Sequence, residues 1–423
     1  MMHHLLRAGV ALCAAALVTG SALGTEPWDN AIPLDQESCF LTVGNSLTGL
    51  KQGGVAGYMD LAMQKDLGYG IEWGRLSKWG KGLDTHYQAD SYPESDAGGL
   101  VDPSKRAFET ILDGPTDGAD RWDVVAVQGY SMDTDQDPTA FHNYVRKFDQ
   151  VIRKQGGQTT LFARYGGYHD SFSQFETLQN RIDSNYQSIG RELGAPVVPS
   201  SKVFLEATRV SQRPDDAGEY WLYADDHGHP SDYGKLAYMY AFYGMLTHRS
   251  PVGLDLGDQI IPVSDPAKDE FLQQTAWQVV KDQVAWDEPG YTGPARNGEV
   301  TAEYDAETGE VTLTVTGDVT GIRLGSPATQ LMQAFAASAI DGEAAVQADS
   351  EILAWHDEQG FAEGTYELGQ IVTPGTDYDE SLLFAYTPGE GGVGEMALIP
   401  EPASLAMLGL SGLLLVRRRR THA

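Results

Sequence analysis

Apolar runs along the first two thirds of the chain alternate between strand-like and helix-like patterns. Continuous apolar stretches at residues 38–43, 122–128 and 159–163 are typical of strands buried on both faces. Between them, apolar residues recur every three or four positions, which predicts helices. Strands separated by helices predict a parallel sheet covered by helices, which is an α/β fold. Helices are predicted at residues 55–67, 106–112, 138–154, 172–193, 231–246 and 266–283, and two more strands at 71–76 and 196–199.

The pattern changes at about residue 291, where helical spacing gives way to short alternating runs. Residues 299–304 and 310–316 alternate apolar and polar side chains, and a loop ending in Gly309 joins them as a β-hairpin. This texture predicts a small all-β, sandwich-like domain over residues 291–399, after an α/β domain over residues 25–290. Further short strands are predicted at residues 321–324, 352–355, 369–372 and 381–386.

Acidic residues outnumber basic ones by 60 to 29, so the formal net charge of the chain is −31. More than half of this excess lies in residues 291–400, which hold 19 acidic and 2 basic side chains. A surface of this sign repels phosphate backbones, so we expect no nucleic-acid partner. Residues 291–399 contain no cluster of catalytic residue types, and we expect them to form a spacer or a surface-binding module.

The N-terminal residues have the pattern of an export signal. Arg7 is followed by an apolar run at residues 8–18 and by small residues at 22–24. This run is too short to span a bilayer and is typical of a cleaved signal peptide over residues 1–24. We therefore expect the protein to be exported.

The C-terminal residues 400–423 begin with Pro400-Glu401-Pro402, continue with an apolar run at 403–416 and end with four arginines at 417–420. This order resembles the PEP-CTERM sorting tail, which implies an exosortase-type sorting protease as partner and delivery to the outer cell envelope or extracellular surface. A helix of the run reaches about 21 Å, against about 30 Å of hydrocarbon. A transient inner-membrane anchor is therefore expected, and a permanent tail anchor is the alternative.

A candidate nucleophile follows the first buried strand, in the sequence Gly44-Asn45-Ser46. Glycine allows a sharp turn as the chain leaves the sheet. A serine on this turn lies at the carboxyl end of a strand, where α/β sheets bind ligands. A following helix directs backbone N–H groups toward the same point, which favours a developing oxyanion. The alternative is an ordinary turn with a helix cap.

A candidate base and its carboxylate lie near the end of the same domain, at Asp226 and His229. The Asp-x-x-His spacing allows Asp226 to accept the Nδ1–H of His229 while Nε2 faces Ser46. In the alternative interpretation, His229 only begins a helix that Ser231 caps. A metal site that includes Asp225 and His227 is disfavoured, because four ligands so close in sequence rarely surround one ion. No metal or organic cofactor is expected.

Together the two motifs resemble those of the SGNH/GDSL hydrolase superfamily, whose first block is Gly-Asp-Ser or Gly-Asn-Ser and whose last is Asp-x-x-His. The resemblance covers residues 38–248 and implies a flavodoxin-like three-layer fold and ester hydrolysis through an acyl-serine. It also implies an oxyanion hole built from the N–H of Ser46, a glycine after the second strand and a side chain after the third. Gly80 fits the glycine, with Gly82 as alternative, and Gln128 stands where the superfamily has asparagine.

Aromatic residues on the predicted site-forming loops are candidates for the substrate pocket. Trp79 and Tyr130 are candidates for stacking against sugar rings, and His86 follows the Gly80 loop. Location and aromatic residues together predict an exported serine esterase that acts on acylated carbohydrate, with lipid and small aryl esters as open alternatives. The alternative of another class is a non-catalytic, SGNH-like surface-binding protein.

Overall fold

A computed structural model describes most of the chain between residues 31 and 400. Residues 1–30 and 401–423, which carry the predicted signal peptide and sorting tail, lie outside the described residues. None of the helices described is long and apolar enough to cross a membrane. The described residues are 31–48, 54–130, 134–135, 138–167, 171–211, 221–226, 228–256, 261, 264–284, 298–326, 331, 340, 345–376, 382–388, 394–395 and 397–400.

The central sheet of the N-terminal region is parallel apart from one edge strand. Its strands are β1 (Cys39–Gly44), β2 (Glu72–Ser77), β3 (Ala97–Gly99), β4 (Val124–Val127), β5 (Gln158–Phe162) and β6 (Val197–Val198). In space they follow the order β3-β2-β1-β4-β5-β6, and β3 is the antiparallel edge. Without β3 this is the 2-1-3-4-5 order of flavodoxin-like sheets, whose switch point falls between β1 and β4. The predicted α/β class is confirmed.

Helices cover the two faces of this sheet. They are α1 (Gly54–Leu67), α2 (Leu83–Gln88), α3 (Ala107–Asp113), α4 (Pro138–Lys154), α5 (Phe172–Leu193), α6 (Ser200–Ser211), α7 (Asp232–Thr247) and α8 (Pro266–Lys281). α7 packs against α1 and α8, whereas α4 packs against α2, α3 and α5. From β1 the strand order runs to β2 on one side and through β4 and β5 to β6 on the other. Because β-α-β crossovers are right-handed, these two directions place the two groups of helices on opposite faces of the sheet. Apolar side chains of both layers and of the strands form one continuous core.

The C-terminal region consists of two packed sheets. Its strands are β7 (Gly298–Tyr304), β8 (Glu310–Gly317), β9 (Val319–Gly325), β10 (Gln347–Ala348), β11 (Ile352–His356), β12 (Gly364–Gln370), β13 (Leu383–Pro388), β14 (Gly394–Glu395) and β15 (Ala397–Pro400). One sheet has the order β10-β11-β9-β13-β14 and the other β12-β8-β7-β15. The predicted hairpin of β7 and β8 is present, and β15 runs parallel to β7. The region has a separate apolar core that includes Leu313, Ile322 and Trp355.

A buried polar interface joins the two regions. Arg146 of α4 and Glu192 of α5 form a bidentate ion pair with N–O distances of 2.6 and 2.7 Å. From the β-rich region, Arg323 Nη1 and Thr387 Oγ1 donate to the Glu192 carbonyl oxygen at 2.7 and 2.6 Å. Nearby, Lys147 pairs with an acidic side chain of the β10–β11 segment at 2.5 Å. These contacts fix the β-rich region against α4 and α5. Its role as a spacer or a surface-binding module stays a prediction.

Candidate active site

Ser46, His229 and Asp226 form a continuous hydrogen-bonded chain at the carboxyl edge of the sheet. The Ser46 Oγ lies 2.9 Å from His229 Nε2, and His229 Nδ1 lies 2.6 Å from Asp226 Oδ2. Ser46 is two residues beyond the end of β1, next to the switch point with β4. The three predicted catalytic side chains, which span 183 residues of sequence, therefore meet in the order nucleophile, base and carboxylate.

Asp226 is fixed by the chain that carries His229. Its second oxygen, Oδ1, accepts the backbone N–H groups of His229 at 2.9 Å and Gly228 at 3.0 Å. The backbone bond from His229, the bond to its ring and the bond from Gly228 together lower the pKa of Asp226 to about 2. The carboxylate is thus ionised at neutral pH and holds the imidazole in one orientation, although its side chain is about half exposed.

A short ladder holds the loop that presents this pair. Tyr223 and Pro230 form an antiparallel bridge, and the Ala224 N–H donates to the His229 carbonyl oxygen at 2.9 Å. Ser231 then caps α7, since its hydroxyl accepts the Gly234 N–H at 3.2 Å. His229 is therefore held between a bridged loop and a capped helix. Ser231 is a cap as the alternative interpretation expected, and this role coexists with the catalytic geometry.

The nucleophile turn is held mainly by Asn45. Its Oδ1 accepts the Leu47 N–H at 3.1 Å, and its Nδ2 donates to the Gly129 carbonyl oxygen at 3.4 Å. The Asn45 carbonyl oxygen accepts both the backbone N–H and the hydroxyl of Thr48. Asn45 thus ties the Ser46 turn to the segment after β4, which fixes the direction of the Ser46 side chain.

Ser46 and Gly80, the two expected backbone donors, both line the cleft. In the part of the chain that the structure describes, neither the Ser46 N–H nor the Gly80 N–H donates a hydrogen bond. Gly80 has a φ of +63°, a left-handed conformation that favours glycine. Gly82, the alternative donor, is instead the residue before α2 and does not line the cleft. The arrangement suits the oxyanion hole implied by the resemblance, with Ser46 and Gly80 as donors.

Gln128, the expected third oxyanion donor, lies outside the residues that line the cleft. It is fully buried, and its Oε1 accepts the Asn45 N–H at 3.3 Å. The side chain folds over Gly44, where a Cβ would come within 2.7 Å of Oε1. Because glycine leaves this space open, Gln128 supports the nucleophile turn from behind. Its placement gives no support to a role as a donor to the oxyanion.

His86, expected in the substrate pocket, is placed in the interior instead. It is fully buried in α2, and its Nδ1 lies 2.8 Å from the Tyr92 hydroxyl. Burial lowers the pKa of His86 to about 3, so the ring is neutral. This position corrects the pocket expectation, because α2 turns His86 inward toward Tyr92 and away from the residues that line the cleft.

The cleft itself has a volume of about 590 Å³ and contains the triad serine and histidine. Trp79 is 66% exposed at its mouth, with its ring centroid 6.1 Å from that of His229. Tyr130 is partly exposed on the segment after β4. Both predicted aromatic pocket residues therefore line the cleft. The described residues of the lining are Asn45, Ser46, Leu47, Trp79, Gly80, Tyr130, Asp135, Arg164, Gly167, Leu178, Gly228 and His229.

Sequence reasoning missed three residues of the lining, which are Asp135, Arg164 and Leu178. Arg164 is two residues beyond β5, and Leu178 belongs to α5. A charged residue directly after a buried parallel strand is the signal that could have identified Arg164, since such positions reach the ligand-binding edge. Within the described residues, no cluster of His, Cys, Asp or Glu could hold a metal ion, and His227 lies outside them.

No protein-family model and no curated protein matches the chain. Solved structures similar to it include a DUF4886 family protein from Bacteroides uniformis, at 14% identity and a TM-score of 0.43, with 59% of this chain and 97% of that chain covered. A catalytic mutant of an acetylxylan esterase from Geobacillus stearothermophilus matches at 14% and 0.34, covering 53% and 98%. An SGNH-hydrolase family esterase matches at 18% and 0.31, covering 47% and 88%.

Proposed function

We propose that this chain is an exported serine esterase that hydrolyses carboxylic esters through an acyl-serine intermediate, with acyl groups on carbohydrate polymers as substrates. The hydrogen-bonded chain from Ser46 through His229 to Asp226 carries the proposal. A serine hydroxyl is a weak nucleophile until an adjacent base removes its proton. Here that base lies 2.9 Å away and is oriented by an ionised carboxylate.

In the first half of the reaction, His229 takes the Ser46 proton as Oγ attacks the ester carbonyl carbon. The carbonyl oxygen gains the negative charge, and the N–H groups of Ser46 and Gly80 stabilise it. Asp226 stabilises the imidazolium that forms. His229 then protonates the leaving alkoxide, which departs as an alcohol and leaves an acyl group on Ser46.

In the second half, His229 takes a proton from a water molecule that attacks the acyl-serine. The same two N–H groups stabilise the second tetrahedral intermediate. His229 returns a proton to Ser46 Oγ as the acid is released, so the enzyme is regenerated. Every catalytic group in this cycle is a side chain or a backbone N–H of the protein.

The shape of the cleft supports a carbohydrate ester over a long acyl chain. The cleft volume of about 590 Å³ has room for a sugar ring, and Trp79 and Tyr130 belong to its lining. Aromatic faces stack well on the apolar faces of sugars. Among the described residues, Leu47 and Leu178 are the aliphatic side chains of the lining, which offers little apolar surface to a long lipid tail.

The cellular location belongs to the proposal and is supported by the two ends of the chain. The signal-peptide pattern of residues 1–24 would direct export. The tail over residues 400–423 resembles a PEP-CTERM signal, so we propose an exosortase-type protease as partner and the outer envelope or extracellular surface as destination. Expression of the full chain in a host with an exosortase, with and without residues 400–423, tests this. Equal surface delivery of both forms would contradict it.

A fluorophosphonate probe tests the nucleophile directly. Purified protein should be labelled, and Ser46→Ala should lose both labelling and ester hydrolysis, the latter by at least about 10⁴-fold because the triad acts as a unit. Ser104→Ala serves as control, since Ser104 is exposed and, among the described residues, hydrogen-bonds only to Asp102 in a turn. An unlabelled wild-type protein would favour the non-catalytic surface-binding alternative, and labelling that survives Ser46→Ala would place the nucleophile elsewhere.

A further inference from the structure

A buried arginine lies in the wall of the proposed catalytic cleft. Arg164 is only 4% exposed, yet it borders the same space as Ser46 and His229. It leaves the sheet at the carboxyl end of β5, which neighbours β4 at the edge where Ser46 stands. Removing a guanidinium from water costs free energy, so a buried arginine that borders a cleft is expected to have a function there.

The guanidinium is held in one orientation. Its Nε donates to the Thr134 Oγ1 at 3.2 Å, and its Nη1 donates to the Tyr165 carbonyl oxygen at 2.6 Å. Thr134 is itself anchored to α5, because its carbonyl oxygen accepts the Asn185 Nδ2–H at 2.8 Å. The group is thus a preorganised fork of N–H donors, and a fixed fork loses little entropy when it binds a planar anion.

The backbone that carries Arg164 is tied to the catalytic loop. Gln179 accepts the Gly166 N–H at 2.7 Å, and the Tyr165 ring stacks on Phe204 at 4.0 Å. The Tyr165 hydroxyl donates to the carbonyl oxygen of Gly228 at 3.3 Å, one residue before His229. Arg164 and His229 are therefore held in one rigid framework. Arg164 is thus placed to bind a second group of an ester that lies beside His229.

The lining also contains one acidic residue, Asp135. It pairs with Arg181 of α5, which does not line the cleft, and its charge also acts on Arg164. The chain as a whole is strongly acidic and repels anions at long range. A fixed cation inside the cleft is therefore the feature that can make an anionic substrate acceptable there.

We propose that Arg164 forms a carboxylate-binding subsite, so that the enzyme prefers esters that carry a carboxylate near the scissile bond. The inference rests on the proposed esterase activity. Bidentate pairing with a carboxylate is the contact for which a guanidinium fork is best suited. The carboxylate belongs either to the alcohol part, as in an acylated uronic acid, or to the acyl part, as in a half-ester of a dicarboxylic acid.

Matched ester pairs distinguish these sources and test the subsite. Acetylated methyl glucuronide is compared with acetylated methyl glucoside, and monomethyl glutarate with methyl pentanoate, by acid release. Arg164→Met should lower kcat/KM for a charged member by about 10- to 100-fold, the usual loss for a charged hydrogen bond, and for its neutral partner by less than about threefold. Arg164→Lys should fall between, because it keeps the charge and loses the fork.

Arg121→Met controls for the change of net charge, because Arg121 lies before β4 at the opposite edge of the sheet and is half exposed. It should leave both members of each pair unchanged. An equal loss on charged and neutral esters in Arg164→Met, with an unchanged melting temperature, would overturn the proposal and make Arg164 a support of the cleft wall.

A binding measurement keeps the subsite testable without turnover. In Ser46→Ala protein, glutarate or methyl glucuronide should raise the melting temperature, and adding Arg164→Met should remove that shift. Absence of any shift in Ser46→Ala protein, with both ligands at millimolar concentration, would overturn the subsite. A wild-type protein that hydrolyses no ester but shows the Arg164-dependent shift would refute the esterase and keep the anion site.

Discussion

At the scale of residues, the least expected feature of the candidate triad is its exposed carboxylate. The Asp226 side chain is about half exposed to solvent. It is nevertheless held in place, because it accepts the backbone N–H of His229. Orientation of the imidazole here comes from three bonds to one carboxylate rather than from burial. We therefore expect Asp226 to contribute both the orientation of the imidazole and a negative charge beside it.

Replacing Asp226 by Asn should lower kcat by about 10³- to 10⁴-fold, because the amide no longer fixes the tautomer or stabilises the imidazolium. The wild-type carboxylate has a pKa of about 2, so it stays ionised and is lost only as the pH falls through that value. The pH–rate profile of the variant should therefore stay below that of the wild type at every pH from about 4 to 9. Equal rates of the two proteins at neutral pH would contradict this role for Asp226.

Asp225→Asn is the matched control for this change. Asp225 is exposed, precedes Asp226 directly and makes no contact with the triad among the described residues. It removes the same charge from the same loop. A comparable loss of activity in both variants would mean that charge near the cleft, rather than orientation of His229, explains the effect.

The triad could be predicted from sequence because each member belongs to a short motif whose spacing reflects local geometry. Gly44-Asn45-Ser46 and the Asp-x-x-His spacing are both visible without a structure. The roles of Gln128 and His86 could not be predicted, because the direction of a side chain depends on its tertiary neighbours: the space above Gly44 in one case and the rotation of α2 in the other. Arg164 belongs to no motif, and its one sequence signal is its position directly after the buried strand β5.

At the scale of elements, the loop between β2 and α2 governs the proposed oxyanion hole. Gly80 has a left-handed φ, and an added Cβ would meet no atom within 4 Å. Substitution there would therefore act through the backbone alone, without a steric clash. A substitution in this loop can therefore test the effect of backbone conformation on transition-state stabilisation without changing side-chain packing.

Gly80→Ala should cost about 1 kcal/mol of stability and lower kcat by about 10- to 100-fold with a smaller change in KM, because the N–H moves relative to the developing oxyanion. Gly68→Ala is the matched control: Gly68 follows α1, has a φ of +78° and is equally open. It should lose similar stability in denaturant titrations and keep its activity. Full activity in Gly80→Ala would remove Gly80 from the oxyanion hole.

Long periodic elements were predicted closely, and short ones were missed. The ranges 138–154 and 172–193 match α4 and α5, since a strong apolar stripe and clear end signals define them. α2 has six residues and β3 three, too few for a period to show. α6 begins right after β6 with two serines that resemble a turn, so only the packing against α7 reveals it.

At the scale of the whole molecule, charged groups fasten the two regions together. Both members of the Arg146–Glu192 pair are 6% exposed, and the Glu192 carbonyl oxygen accepts two donors from the β-rich region. Such an interface could not be predicted from sequence, because Arg146 and Glu192 look like ordinary polar positions on two amphipathic helices. Their burial arises only when a second region covers them.

Glu192→Gln should lower the free energy of unfolding by about 3–5 kcal/mol at pH 7, because it leaves the buried Arg146 guanidinium without its counter-charge. Burial acts to raise the pKa of Glu192, but the hydrogen bonds and charge of Arg146 outweigh it and lower the net pKa. The stabilisation is therefore present above the unfolded pKa of about 4.3 and fades as the pH falls below it. Denaturant titrations at pH 7 and pH 3.5 should show a smaller difference at the lower pH.

The exposed pair of Arg106 and Glu109 provides the control, since its side chains are about 40% exposed. Glu109→Gln should cost less than about 1 kcal/mol at pH 7. A Glu192→Gln variant as stable as Glu109→Gln would mean that water reaches the Arg146 guanidinium despite its cover.

The shared interface also governs how the protein can come apart. Detaching the β-rich sheets would strip the Glu192 carbonyl oxygen of both its outside donors and uncover a paired charge on α4 and α5. Opening at this seam would therefore expose the Arg146–Glu192 pair to water, so a species in which only the β-rich region has detached should be rare. A protease that cuts the chain between the two regions should then yield two fragments that stay associated.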